Sequence, residues 1–108
     1  MNVNIDRTRL RLCLMLVTWF LVSATPAHAS DPAEGRSHYD MQCAICHGRD
    51  GSGMTSDIPN FRRGEGLWSS DSQLLLRIEG GKNGCPPFLG MLDRQGIFDV
   101  ISYLRTFQ

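Results

Sequence analysis

From residue 31 onward, apolar and polar positions recur with a helical period in three stretches. The first opens at Asp31-Pro32-Ala33-Glu34. Asp31 can cap a helix, Pro32 suits its first position, and Glu34 can reach back to the cap. Along this stretch Gly35, Tyr39, Cys43 and Cys46 fall at steps of four, four and three, so they share one face. In the second stretch, Ser70-x-x-Gln73 precedes L-L-L-R-I. That pattern is a capping box, and it predicts a helix to about Glu79, stopped by Gly80-Gly81. The third stretch carries Ile97, Val100, Ile101 and Leu104 at helical spacing, flanked by Phe98, Tyr103 and Phe107. Gly96 near its start costs roughly 1 kcal/mol against Ala. Gly48 to Gly66 and Asn83 to Gly90 show no period and read as loops. Strand patterns are absent. The expectation is an all-α domain of about three main helices, with loops long enough to need an organising element.

Residues 1–29 change the picture. Arg7, Arg9 and Arg11 precede an apolar run of 11 residues from Leu12 to Val22, and the segment ends in Ala27-His28-Ala29. This is the anatomy of a secretory signal peptide cut after Ala29. The run is too short to span a bilayer, which takes roughly 20 residues. The expected working chain is therefore residues 30–108, exported to the periplasm with no stable membrane insertion. Cys13 leaves with the signal. Three arginines and Asp6 go too, leaving 8 basic and 10 acidic side chains, a net charge of −2. Without a basic stripe, nucleic acid is excluded as a partner. A domain this small commonly needs a disulfide, a metal or a covalent cofactor. Its three cysteines, Cys43, Cys46 and Cys85, are an odd number.

Cys43-Ala44-Ile45-Cys46-His47 supplies the organising element. C-x-x-C-H is the attachment signature of c-type haem. Residues i and i+3 of a helical turn hold two thiols about 5–6 Å apart, where each can add to a vinyl group on one porphyrin edge. His47 follows directly and can offer an axial imidazole. A thioredoxin-like site would need a strand before the motif, and none is apparent. Structural zinc needs four ligands, which Cys43, Cys46, Cys85 and a histidine could supply, but His47 beside Cys46 is awkward for a tetrahedral site and His38 is not suitably paired. A plain Cys43–Cys46 disulfide is the remaining alternative.

The chain from Gly35 to Arg105 resembles the small class I cytochromes c. The shared pattern is Gly35-x-x-x-Tyr39-x-x-x-Cys43-x-x-Cys46-His47-Gly48, then Gly80-Gly81-Lys82, Pro86-x-Phe88 and Tyr103-Leu104-Arg105. The resemblance implies an all-α fold around one covalent haem c, with first and last helices crossing at Gly35 and Tyr103 packed nearby. It implies that the carbonyl of Pro59, 12 residues past His47, accepts the imidazole N–H. The family's second axial ligand is a methionine directly before a proline. Here Cys85 occupies that place, 18 residues before Tyr103. Three readings of the sixth ligand stay open: Cys85 as thiolate, favoured by register; Met91, six residues on; or a weakly held site.

Phe61, Ile78, Phe88 and Leu92 are expected as haem walls. Trp68 is a candidate to hydrogen-bond a propionate or cover the ring edge. Arg62 and Arg63 read as a solvated pair, with propionate neutralisation as their other role. Met41 and Met54 are expected to pack, and His38 to lie at the surface. The leading function implied by the resemblance is a periplasmic single-haem electron carrier, not an enzyme. Its partners would be redox proteins, with the chain as monomer or as subunit of a larger oxidoreductase. Two alternatives are a haem subunit of sulfur-compound oxidation and a redox or gas sensor with a labile sixth ligand.

Overall fold

The computed structural model describes Arg7, Thr8, Arg11 and residues 28–108. The expected signal segment lies almost wholly outside the described residues, as does Cys13. Among the described residues no helix is long and apolar enough to cross a membrane.

Residues 28–108 form four α-helices and two 3-10 turns: α1 Pro32–Gln42, α2 Ala44–His47, a turn at Phe61–Arg63, α3 Asp71–Gly80, α4 Arg94–Leu104 and a turn at Arg105–Phe107. No strand occurs among the described residues, which carry only the isolated bridges Lys82–Cys85 and Leu89–Leu92. The all-α expectation holds.

Local chemistry explains the helix starts. Ser70 and Gln73 exchange both bonds of the capping box at the head of α3. Asp93 caps α4 by accepting from the Gly96 N–H at 2.7 Å. Asp31 caps α1 by accepting from the Ala33 N–H. The Glu34 return contact is not made, because the Asp31 N–H donates instead to Asp99 Oδ1 at 2.8 Å. That carboxylate, from the opposite end of the chain, is buried and also accepts from Gln95. The first helix also ends earlier than its stripe suggests: it breaks at Cys43, and α2 starts afresh one residue later.

Helix α4 is the hub. Ile97 and Ile101 pack with Leu74 and Leu75 of α3. Val100 and Leu104 pack with Tyr39 of α1, and with Phe61 and Leu67. All four α4 residues are buried, as the helical spacing requires. Where α1 crosses α4, Gly35 lies directly on the Asp99 backbone, and a Cβ there would sit 1.9 Å from the Asp99 carbonyl oxygen. Tyr39 meets Tyr103 edge-on at 5.3 Å.

Arg105 locks the chain end. Its guanidinium donates to the carbonyl oxygens of Leu67 and Ser69 and to Asp71 Oδ1. A fork with several fixed donors is a property of arginine that lysine does not share. Arg105→Ala should destabilise the protein by about 1–3 kcal/mol, because it strips charged donors from carbonyls beside the core. Arg105→Lys should recover less than half of that. A denaturant titration of the three proteins checks both, and a lysine variant as stable as the parent would contradict the account.

Candidate functional site

The four helices and the loops over 48–66 and 82–92 leave a cavity of about 280 Å³ between them. Cys43, Cys46 and His47 line it from the α1–α2 break. Because α1 stops at Cys43, the Cys46 N–H and the His47 N–H both return to the Cys43 carbonyl, at 3.2 and 2.9 Å. The motif is thus its own short turn, held beside α1. Tyr39 anchors it by donating from its hydroxyl to the Gly48 carbonyl at 2.7 Å. Burial pushes the Tyr39 phenol pKa upward, so it stays a protonated donor.

The His47 ring stacks on Phe61, with centroids 4.4 Å apart and planes 15° from parallel. Burial lowers its pKa, which favours the neutral ring that ligates metals. The Pro59 backbone faces the ring and pulls the other way, raising the pKa. This approach falls short of full hydrogen-bond geometry, and Nδ1 is buried with no complete partner. Arg77 adds a smaller lowering effect.

Burial raises the Cys43 thiol pKa to about 12, with the Cys85 and Cys46 sulfurs adding to the effect. At neutral pH it is a thiol and not the low-pKa thiolate of a redox dithiol. Among the described residues Cys43, Cys46 and Cys85 form no disulfide. Among the described residues no group of three His, Cys, Asp or Glu is arranged to hold a metal ion by itself.

Cys85 lines the same cavity. Its position is set by the turn before it. Lys82 and Cys85 exchange both backbone bonds at 3.1 Å, with Asn83 and Gly84 between them at φ 53° and 87°. Positive φ at both central residues is the signature of a type I′ turn, for which Asn-Gly is the preferred pair. The following residues are clipped to α3: the Phe88 N–H donates to Ile78 O, and the Leu89 N–H to Glu79 O. Gly81 permits the close approach, since a Cβ there would sit 2.6 Å from the Cys85 carbonyl oxygen. Burial raises the Cys85 thiol pKa, while Arg77 opposes it and Cys46 adds to it.

Met91 is elsewhere. It is 63% exposed and lies with Glu79, Leu89 and Arg94, outside the cavity. Its N–H is held by the Phe88 carbonyl in a turn that puts Phe88 inside and Met91 outside. Trp68 is also not brought into the cavity. Leu67 turns inward and is buried, while Trp68 is 86% exposed and lies against Gly64.

Phe61, Ile78, Phe88 and Leu92 all line the cavity. Arg62 and Arg63 do not; they pair with Asp50 at 3.3 Å and Glu65 at 3.4 Å as an exposed pair. Met41 and Met54 are exposed, correcting the expectation that they pack. His38 is half-buried against Gly96 of α4 rather than at the open surface. Sequence reasoning missed Gln42, Leu74 and Arg77 as cavity residues. The signal for Arg77 was present: with Leu74 and Ile78 it completes an i, i+3, i+4 stripe.

The cavity fits a covalent haem. It has two neighbouring thiols at one edge, a neutral imidazole with an orphaned ring nitrogen, and mostly apolar walls. Such a group would supply a one-electron iron couple, with Cys43 and Cys46 holding its edge and His47 an axial position. Comparison with known proteins agrees. The family described as "Cytochrome C oxidase, cbb3-type, subunit III" matches residues 30–104. Cytochrome c6 of Synechococcus sp. is 31% identical over 100 residues, covering 86% of this chain and 85% of the relative. Cytochrome c6 of Thermosynechococcus vestitus is 33% identical over 92 residues, 78% of each chain. The chain belongs to this cytochrome c family. It is a c-type cytochrome of the all-α class I fold, and its cofactor is covalently bound haem c.

Proposed function

We propose that the protein is an exported single-haem electron carrier whose iron is held between His47 and Cys85. It carries electrons and is not an enzyme. Cys43 and Cys46 form the two thioether links, and Pro59 completes the bond to His47 Nδ1 once the ring is fixed by iron. Residues 1–29 act as a removed signal peptide that delivers residues 30–108 to the periplasm.

The observation that carries the axial assignment is a contrast. Cys85 faces the same cavity as His47, whereas Met91 lies outside it. An anionic sulfur stabilises ferric iron more than a thioether does, so the carrier works at low potential. Ile45, between the two anchoring cysteines, is 81% exposed and Cys46 is exposed with it. The haem edge beside them is the approach for a redox partner. With a net charge of −2 the carrier suits a partner offering a basic patch. Neither the family match nor the cytochrome c6 relatives support the sulfur-oxidising or gas-sensing alternatives.

The test is the absorption spectrum of the purified oxidised protein, taken into the near infrared. A low-spin spectrum with thiolate charge transfer and no thioether-to-iron band is expected. A thioether band would sink the Cys85 assignment. For the covalent links, Cys43→Ala or Cys46→Ala should leave one thioether, and the double variant none. The shift of the α-band after alkaline pyridine treatment counts the links, and an unchanged band in a single variant would count against that cysteine.

A further inference from the structure

Three residues of α3 line the cavity: Leu74, Arg77 and Ile78. Their spacing puts them on one face of the helix. Two are apolar, as a cavity wall requires. The third carries a permanent positive charge, because a guanidinium does not deprotonate in proteins. Arg77 lines the cavity yet is exposed as a residue, so it borders both the wall and solvent.

That charge is not neutralised. Arg36, Arg62, Arg63, Arg94 and Arg105 each have a carboxylate within 4 Å. Among the described residues Arg77 has none. It is also, among the described residues, the one arginine on the cavity wall, whose other charged lining residues are Lys82 and Asp57. Both proposed axial donors, His47 and Cys85, line the same cavity. A carboxylate partner would cancel most of this charge; without one, it is weakened only by solvent screening at the open side.

We propose that Arg77 is a potential-setting residue of this carrier, its unpaired positive charge beside the two axial donors favouring the reduced cofactor. When one electron enters, ferric iron becomes ferrous and the net charge in the cavity falls by one. A fixed cation nearby stabilises the more negative state, through the low-dielectric wall and against screening from the open side. Arg77 thereby offsets part of the ferric preference that a thiolate ligand imposes. The inference rests on the proposed haem site and names a second residue that sets its working range.

The test compares Arg77→Gln and Arg77→Lys with the parent holoprotein by potentiometric titration. Glutamine keeps the helix propensity and most of the stem but removes the charge. Arg77→Gln should lower the midpoint so that the oxidised-to-reduced ratio at fixed solution potential rises about tenfold, ~59 mV for one electron. Arg77→Lys should stay near the parent value. Added salt should lower the parent midpoint more than that of Arg77→Gln. An unmoved Arg77→Gln midpoint would overturn the role of Arg77 alone. A lysine variant shifted as far as the glutamine variant would also overturn it, since shape and not charge would then matter. Purified protein with no covalent haem would overturn the underlying reading and this one with it.

Discussion

Cys85→Met should raise the midpoint potential by several hundred millivolts and bring in the thioether-to-iron absorption band. Axial ligand choice among His, Met and Cys spans roughly 0.8 V of haem potential, and the exchange swaps an anionic donor for a neutral one. The substitution also restores the residue that the class I pattern expects before Pro86. The turn and clips that place position 85 on the cavity are backbone bonds, so they survive the change of side chain. Met91→Leu serves as the control, because Met91 lies outside the cavity. It should leave both potential and spectrum unaltered. If Met91→Leu abolished a thioether band already present in the parent, the assignment of Cys85 would be wrong.

Gly35→Val is expected to cost more than ~3 kcal/mol, beyond the range of ordinary overpacking. The reason is that the obstacle is backbone. A Cβ at position 35 would lie 1.9 Å from the Asp99 carbonyl oxygen, 2.3 Å from its carbon and 2.9 Å from the Val100 nitrogen. No side-chain rotation relieves that overlap, so α1 must move away from α4. The movement opens the packing around Tyr39, which is fully buried, and separates Asp31 from Asp99. Guanidinium denaturation of the holoprotein measures the loss, and the yield of haem-loaded protein should fall with it. A valine variant with the parent's denaturation midpoint would mean that the helix crossing does not depend on this contact.

What the sequence made legible depended on the range of the signal. The start of α3 lies in four consecutive residues, and the α4 stripe is purely local, so both were readable. The cysteine pair and histidine were readable because their chemistry demands a fixed spacing. Glu34 misled, because the cap it was expected to serve is taken by Asp99, 68 residues away. The break at Cys43 was hidden because the step of three to Cys46 is as helical as the two steps of four before it. The 3-10 turn at Phe61–Arg63 is too short to show a period. Arg77 went unnoticed because a charged position in a helical pattern reads as a solvent face. Cys85 could be placed by counting back from Tyr103, while the outward turn of Met91 is fixed by a contact with Phe88 that counting does not reveal.

The N-G turn and the two clips from Phe88 and Leu89 to α3 fix the Cys85 backbone at the cavity wall. For a carrier, this bears on speed as well as affinity. An electron transfers only when the surroundings of the donor resemble those of the acceptor, so every atom that must relocate between oxidation states slows the exchange. A ligand hung on a loose loop would swing with each turnover. One mounted on a reciprocal pair of 3.1 Å backbone bonds is restrained in both states. With Cys85 as the proposed ligand, the small hairpin would act as a rigid mount, keeping nuclear rearrangement low and self-exchange fast.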